Sequence, residues 1–170
     1  MNRSTVMSFA LSVAAVCAFG QTNPVIAEQK ATYESNKTNL IKAAEKMPEE
    51  NYSFKPTPEM QSFGERIAHV AGQTGNCSGL SGERKPNPAQ GKTSKADIVA
   101  ALKTSFEVCD AAWASMNDKT AMETMAARGG QRTKLSVLIG NTTHNIELYG
   151  YISPYMRLKG VVPPTSDRGN

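Results

Sequence analysis

The chain has 170 residues, 39% of them hydrophobic, with 19 basic and 15 acidic side chains, a formal charge of +4, two histidines and three cysteines. That length fits one domain with a real core and leaves little room for a second. Basic and acidic residues are interspersed, and the densest basic stretch, Glu83-Arg84-Lys85 through Lys92 and Lys95, is broken by prolines and glycines, so the clustered basic stripe of a nucleic-acid-binding face is missing.

Arg3 is followed by an uncharged, mostly apolar run from Met7 to Gly20, the pattern of a secretory signal peptide over residues 1–20. The run is shorter than the roughly 20 apolar residues that span a bilayer, and no comparable run follows. A periplasmic or secreted protein without a membrane span is expected. Ala18-Phe19-Gly20 offers a better cleavage site than Val25-Ile26-Ala27, and the bulk of Val16 disfavours Cys17 as a lipid-bearing residue. Removing residues 1–20 takes away Arg3 alone and lowers the charge from +4 to +3. Residues 21–29 read as a linker, 30–165 as the folded domain and 166–170 as a tail.

Helical spacing dominates that domain, and no sustained alternation of apolar and polar residues indicates a sheet. The spacing predicts an all-α bundle. A first helix runs from about Glu28 to Met47, with Tyr33, Leu40, Ile41 and Ala44 on its apolar side, and Pro48 stops it. Glu49–Pro58 is a loop, because Pro56 and Pro58 push the residues before them to extended geometry. A second helix from Glu59 to about Ser78 turns Met60, Phe63, Ile67, Val70, Thr74 and Cys77 to one side. Gly79–Thr93, rich in glycine, proline and lysine, is a loop or mobile lid. The third helix has Ser94 as N-cap, with Asp97 three residues on, and reaches about Met116, burying Ile98, Leu102, Phe106, Cys109 and Trp113. Asn117–Arg132 carries a Gly129-Gly130 break, before which Thr120–Ala127 either forms a short helix or stays irregular. The fourth helix spans about Thr133–Leu158 and closes on Lys159-Gly160. Pro154 should kink it.

Without Cys17, two cysteines remain, Cys77 and Cys109. In an oxidising compartment they read either as a disulfide or as two small apolar fillers at helix interfaces. The two histidines sit on different helices. His69 lies away from the core side of the second helix, in line with Ser62, Glu65, Gln73 and Asn76, and reads from the sequence alone as part of a solvated face. The fourth helix has two apolar sides, one with Leu135, Ile139, Thr142, Ile146 and Tyr149, the other with Val137, Leu148, Tyr151 and Tyr155. His144 lies on the second side, as a core or cleft histidine. A helix apolar on two sides is buried twice, in the bundle or against a second copy, so a homodimer is one expectation. There is no glycine-rich phosphate loop, no C-x-x-C and no G-x-S-x-G elbow; Gly75-Asn76-Cys77 hints only weakly at a thiol nucleophile, because Cys77 falls on the core side.

Phe54-Lys55-Pro56-Thr57-Pro58-Glu59, Ser62-Phe63-Gly64, Ile67-Ala68-His69-Val70-Ala71 and the stretch Lys92–Asp110 resemble the loop and middle helices of DinB/YfiT-like proteins. Thr143–Gly150 and Tyr155–Pro164 are similar to that family's last long helix and its exit. The resemblance covers most of residues 30–165. It implies a four-to-five-helix bundle of up-down-down-up topology with three histidines meeting on one side, one from the second helix and two from an H-x-x-x-H pair on the fourth. Matched to this sequence, the first ligand is His69 and the second His144, while the third position holds Leu148. Leucine has no lone pair, so affinity for a divalent ion such as zinc or nickel should fall steeply. Glu147 offers an oxygen, but it points about 100° away from Leu148 around the helix. The resemblance also implies that the polar stripe of Ser62, Glu65 and Gln73 lines a cleft, with Leu148, Tyr151 and Tyr155 on its other wall. Metal-dependent small-thiol transfer or hydrolysis is one function this supports; a non-catalytic small-ligand or structural bundle is the other, and the leucine favours it.

Overall fold

The first helix starts earlier than its apolar spacing indicates. In a computed structural model describing residues 23–167, α1 spans Pro24–Lys46. Asn23 caps it by accepting the Val25 amide at 3.0 Å, and Pro24 fills the first helical position, where an amide would have no partner anyway. Positions 24–29, expected as linker, are therefore helical, and Ile26 is buried. The signal peptide expected over residues 1–20 lies outside the described residues.

The second long helix is shorter and broken. Its first part, α2 (Phe63–Gly72), is started by a full capping box: the Glu65 amide donates to Ser62 Oγ at 3.2 Å and the Ser62 amide donates to Glu65 Oε2 at 2.6 Å. Glu59–Gln61, expected as its first turn, precede the helix. At Gln73 the chain tightens, with the Gln73 and Asn76 amides each bonding a carbonyl three residues back, and a short α3 (Thr74–Ser78) follows. Asn87 of the following loop sits against Gly72, where an added Cβ would come within 2.9 Å of its amide nitrogen, and it donates to the Ala68 carbonyl at 3.2 Å. The Gly79–Thr93 loop is tied down there and at Lys85, whose amide donates to Ser78 Oγ at 2.8 Å.

Helix α4 (Lys95–Ala114) is capped by Ser94, which accepts the Asp97 amide at 3.1 Å. After it, the stretch 117–133 departs from an all-helical reading. A short α5 (Asp118–Met122) leads into β1 (Thr124–Ala127), which pairs antiparallel with β2 (Gly130–Thr133) in the register Met125↔Arg132 and Ala127↔Gly130. Gly129 and Gly130 have φ of +89° and +122°, a region glycine enters freely, so the chain reverses through Arg128-Gly129. Strands of four residues on a largely exposed ribbon carry too little alternation to register in an apolar pattern.

Helix α6 (Lys134–Leu158) is capped by Thr133 and continues past Pro154. Its buried face is Leu138, Asn141, Thr142, Asn145, Leu148, Tyr149, Ile152, Tyr155 and Met156. Ile146 and Tyr151, read as apolar-side residues, are exposed. The four long segments form the helical bundle: α1, α2 and α3 each pack against both α4 and α6. Fully buried Leu40, Phe63, Ile67, Leu102, Leu138 and Ile152 hold the centre, each contributing on the order of 1.5–3 kcal/mol by leaving water. Tyr33 stacks on Trp113 with ring centroids 5.7 Å apart and donates to Asp110 at 2.6 Å. Among the described residues no helix is long and apolar enough to cross a membrane.

Candidate ligand cleft between the second and last helices

The two histidines, 75 residues apart in sequence, meet. His69 Nε2 lies 3.1 Å from His144 Nε2, and the rings are edge to face with centroids 5.3 Å apart. Helix α2 turns His69 off its buried stripe of Phe63, Ile67 and Val70. Helix α6 presents His144 beside, not within, its core face. Both rings open onto a cleft of about 510 Å³ lined also by Gln73, Asn76, Arg84, Arg128, Arg132 and Asn141.

Polar contacts run along both walls. On the α6 side Glu147 Oε2 approaches His144 Nδ1 at 3.4 Å, and Tyr151 donates to Glu147 Oε1 at 3.0 Å. A carboxylate at Nδ1 favours the tautomer protonated there, which leaves the Nε2 lone pair facing the cleft. Glu147 thus addresses the far side of the His144 ring rather than the point between the two Nε2 atoms. Its hydrogen bond also raises the pKa of the Tyr151 hydroxyl, and the Arg66 guanidinium lies over the Tyr151 ring.

On the α2 side the Gln73 carboxamide is 3.4 Å from His69 Nε2 and accepts from Asn76 at 2.9 Å. Asn76 reaches Asn141 Oδ1 at 3.4 Å, and Asn141 Nδ2 touches Cys77 Sγ at 3.3 Å. Cys77 and Cys109 form a buried disulfide between α3 and α4, with Cα atoms 5.0 Å apart. Although His69 as a residue is exposed, partial burial of its ring holds its pKa below the ordinary imidazole value, and the neighbouring His144 and Arg66 push the same way.

Of the residues expected to line the cleft, the structure brings Gln73 to the histidines and separates the rest. Ser62 and Glu65 are consumed by the capping box and border a different hollow beside Tyr52 and Lys55; the Ser62 amide holds the Glu65 carboxyl below its usual pKa. Leu148 and Tyr155 are core residues, 3% and 1% exposed. Tyr155 packs edge-on against Phe54 and donates to the Gln61 carbonyl at 2.8 Å. Tyr151 stands outside, exposed, next to Glu147. The arginines and Asn141 escaped the sequence reading. Arg84 sits in a loop read as a lid, and Arg128 and Arg132 flank a glycine pair; an X-Gly step between short strands is the signal that marks such a hairpin.

The donor set fits a divalent ion in part. Two imidazole nitrogens 3.1 Å apart can share one ion, each at about 2.0–2.1 Å. No three of His, Cys, Asp and Glu converge on one point among the described residues.

A model of the DinB superfamily matches residues 32–152. Among solved structures, the fold is similar to a DinB-like protein from Bacillus cereus, at 19% identity and TM-score 0.68 over 85% of this chain and 97% of that one. It is similar also to one from Bacillus subtilis, at 18% identity and TM-score 0.63 over 81% and 93%. A mutant of mycothiol-dependent maleylpyruvate isomerase is similar at 13% identity and TM-score 0.58, over 77% of this chain and 65% of that one. No protein of curated function matches the chain.

Proposed function

The chain belongs to the DinB superfamily, and on that premise we propose that it is an exported small-molecule-binding protein whose cleft holds a divalent metal weakly, through His69 and His144. The observation that carries this reading is the 3.1 Å approach of the two Nε2 atoms from separate helices. Helix α2 fixes one imidazole, helix α6 the other, and Glu147 orients the second from behind as carboxylates do for metal-binding histidines. The Gln73 carboxamide is the next polar group at hand. A bound divalent ion would lower the pKa of a water or thiol beside it. Because Leu148 supplies hydrocarbon at the family's third ligand position, we place the protein nearer to a binding module than to a thiol transferase or hydrolase.

Isothermal titration of the purified protein with zinc and with nickel tests this. Micromolar or tighter binding, lost in both His69→Ala and His144→Ala, is the expected result; absence of binding overturns the reading. Leu148→His should cost about 1–3 kcal/mol in stability from placing a polar ring at a buried site; a rise in zinc affinity would show that position 148 can still reach the two imidazoles.

A further inference from the structure

Three of the protein's exposed basic side chains, Arg84, Arg128 and Arg132, gather around one cleft. Lys37, Lys46, Lys103 and Lys134 each sit within 2.8 Å of a carboxylate oxygen. Arg84 reaches only the neutral Asn76 carboxamide, at 3.5 Å, and no ion pair joins Arg84, Arg128 or Arg132 to a carboxylate among the described residues. No aspartate or glutamate lines the cleft. Three guanidinium groups from two separate elements, a loop and a hairpin, thus share one hollow with two imidazoles, while the Glu147 carboxylate lies behind the His144 ring, 3.4 Å from its Nδ1.

The hairpin is built to face that hollow. In its register Met125 pairs with Arg132 and Ala127 with Gly130, so Met125, Ala127 and Arg132 fall on one face of the ribbon. Ala127, Arg128 and Arg132 line the cleft. The same face closes on the loop: a Cβ on Gly79 would lie 3.5 Å from Met125 Cε and 3.3 Å from Arg84 Cγ. The loop arginine and the hairpin arginines therefore line one hollow together with the histidines.

We propose that this hollow is the receptor for a small organic polyanion, a carboxylate- or phosphate-bearing molecule whose charged groups take Arg84, Arg128 and Arg132 while its remainder lies over His69 and His144. Guanidinium forks bind carboxylate and phosphate in two parallel hydrogen bonds, and clustered like charges around a concave site raise the local concentration of anions. A volume of about 510 Å³ suits a metabolite-sized ligand, and Gln73, Asn76 and Asn141 provide neutral polar partners on the floor. The proposal rests on the reading of this cleft as a binding site, but not on the metal.

The test is calorimetric titration of the full chain, stripped with EDTA, with citrate and succinate as carboxylate probes, pyrophosphate as the phosphate probe and a short single-stranded oligonucleotide as a macromolecular anion. Millimolar or tighter binding of citrate or pyrophosphate is expected, weakened roughly tenfold or more in Arg84→Ala and in the Arg128→Ala/Arg132→Ala double variant, as for lost charge-assisted hydrogen bonds. Lys103→Ala, remote from the cleft, should leave it unchanged. The relative strength of the carboxylate and phosphate arms names the ligand's charged group. Absence of binding by every small probe, equal losses in Lys103→Ala, or an oligonucleotide that binds more tightly than the small anions through the same arginines would each overturn the proposal. All three arginines are exposed, so their variants should keep the fold, as circular dichroism would verify. Zinc titration of the same variants separates the two readings: anion binding without zinc binding leaves this proposal standing and removes the metal, and zinc binding without anion binding does the reverse.

Discussion

Two hollows of similar size lie near the Cys77–Cys109 disulfide, one with a mainly apolar wall and the other mostly polar. One, of about 600 Å³, runs along α4 and is walled by Leu80, Val108, Ala111, Ala112 and Met116, with Cys77, Lys85, Glu107 and Lys134 also in the lining. The other, of about 510 Å³, gathers two imidazoles, three guanidinium groups and three carboxamides. Asn141 lines the second and touches both sulfurs, at 3.3 and 3.8 Å. Volume alone would favour the apolar hollow. Converging polar groups are what turn a gap between helices into a site with chemistry; the first hollow has Lys85, Glu107 and Lys134 around a mainly apolar wall, and the second is the one that brings two imidazoles together.

Removing the disulfide should have the largest effect. The disulfide joins residues 32 apart in sequence, and constraining a loop of that size in the unfolded chain is worth about 3–4 kcal/mol. The Cys77→Ala/Cys109→Ala variant should lose stability of that order in urea denaturation, and zinc binding should weaken because Asn141 loses its footing. If stability falls while zinc binding is untouched, the two hollows are energetically independent and the disulfide is structural only.

A smaller contrast lies along the broken second helix. Ser62, Glu65, Gln73 and Asn76 form a single polar stripe in the sequence, but its first half caps α2 and its second half meets His69. Ser62→Ala should cost about 0.5–2 kcal/mol of stability, the usual worth of such a cap, with no change in metal or anion affinity. Gln73→Ala should do the opposite, leaving thermal stability almost unchanged while altering the titration. A Ser62→Ala variant that weakens zinc binding as much as Gln73→Ala would return the whole stripe to the cleft.

This division of labour marks where the sequence stops being readable. The bundle is legible because its core side chains repeat at helical spacing over long stretches, and the meeting of His69 with His144 is legible through the family resemblance, since nothing local ties residues 75 apart. The broken second helix is not: apolar residues on one side run on past Gln73, while the chain there tightens into three-residue turns with Asn87 of the following loop against Gly72. Leu148 and Tyr155 share a helical side with His144 by angle alone, but the cleft is open only toward the N-terminal half of α6, and one turn past His144 the same side is already core. The arginine cluster needs the hairpin, whose four-residue strands are too short and too exposed to show an apolar period.

The smallest expected effect concerns the proton on His69. Partial burial first, then His144 and Arg66, lower its pKa below the value near 6.5 that it has in the unfolded chain, so between the two values the unfolded state binds more protons than the folded one. Stability therefore rises with pH across that window: the contribution is fully present at neutral pH and is lost as pH falls through the lowered folded value. Because the residue is exposed, solvent screening reduces this to a fraction of a kcal/mol. Denaturation of wild type and His69→Gln at pH 7.5 and 5.5 should show the steeper acid loss in wild type. Zinc affinity should decline in the same direction, since protons compete for the imidazole lone pair. A His69→Gln variant as acid-sensitive as wild type would mean that the two rings feel each other less than their 3.1 Å approach requires, and the cleft would then be more open to water than its geometry indicates.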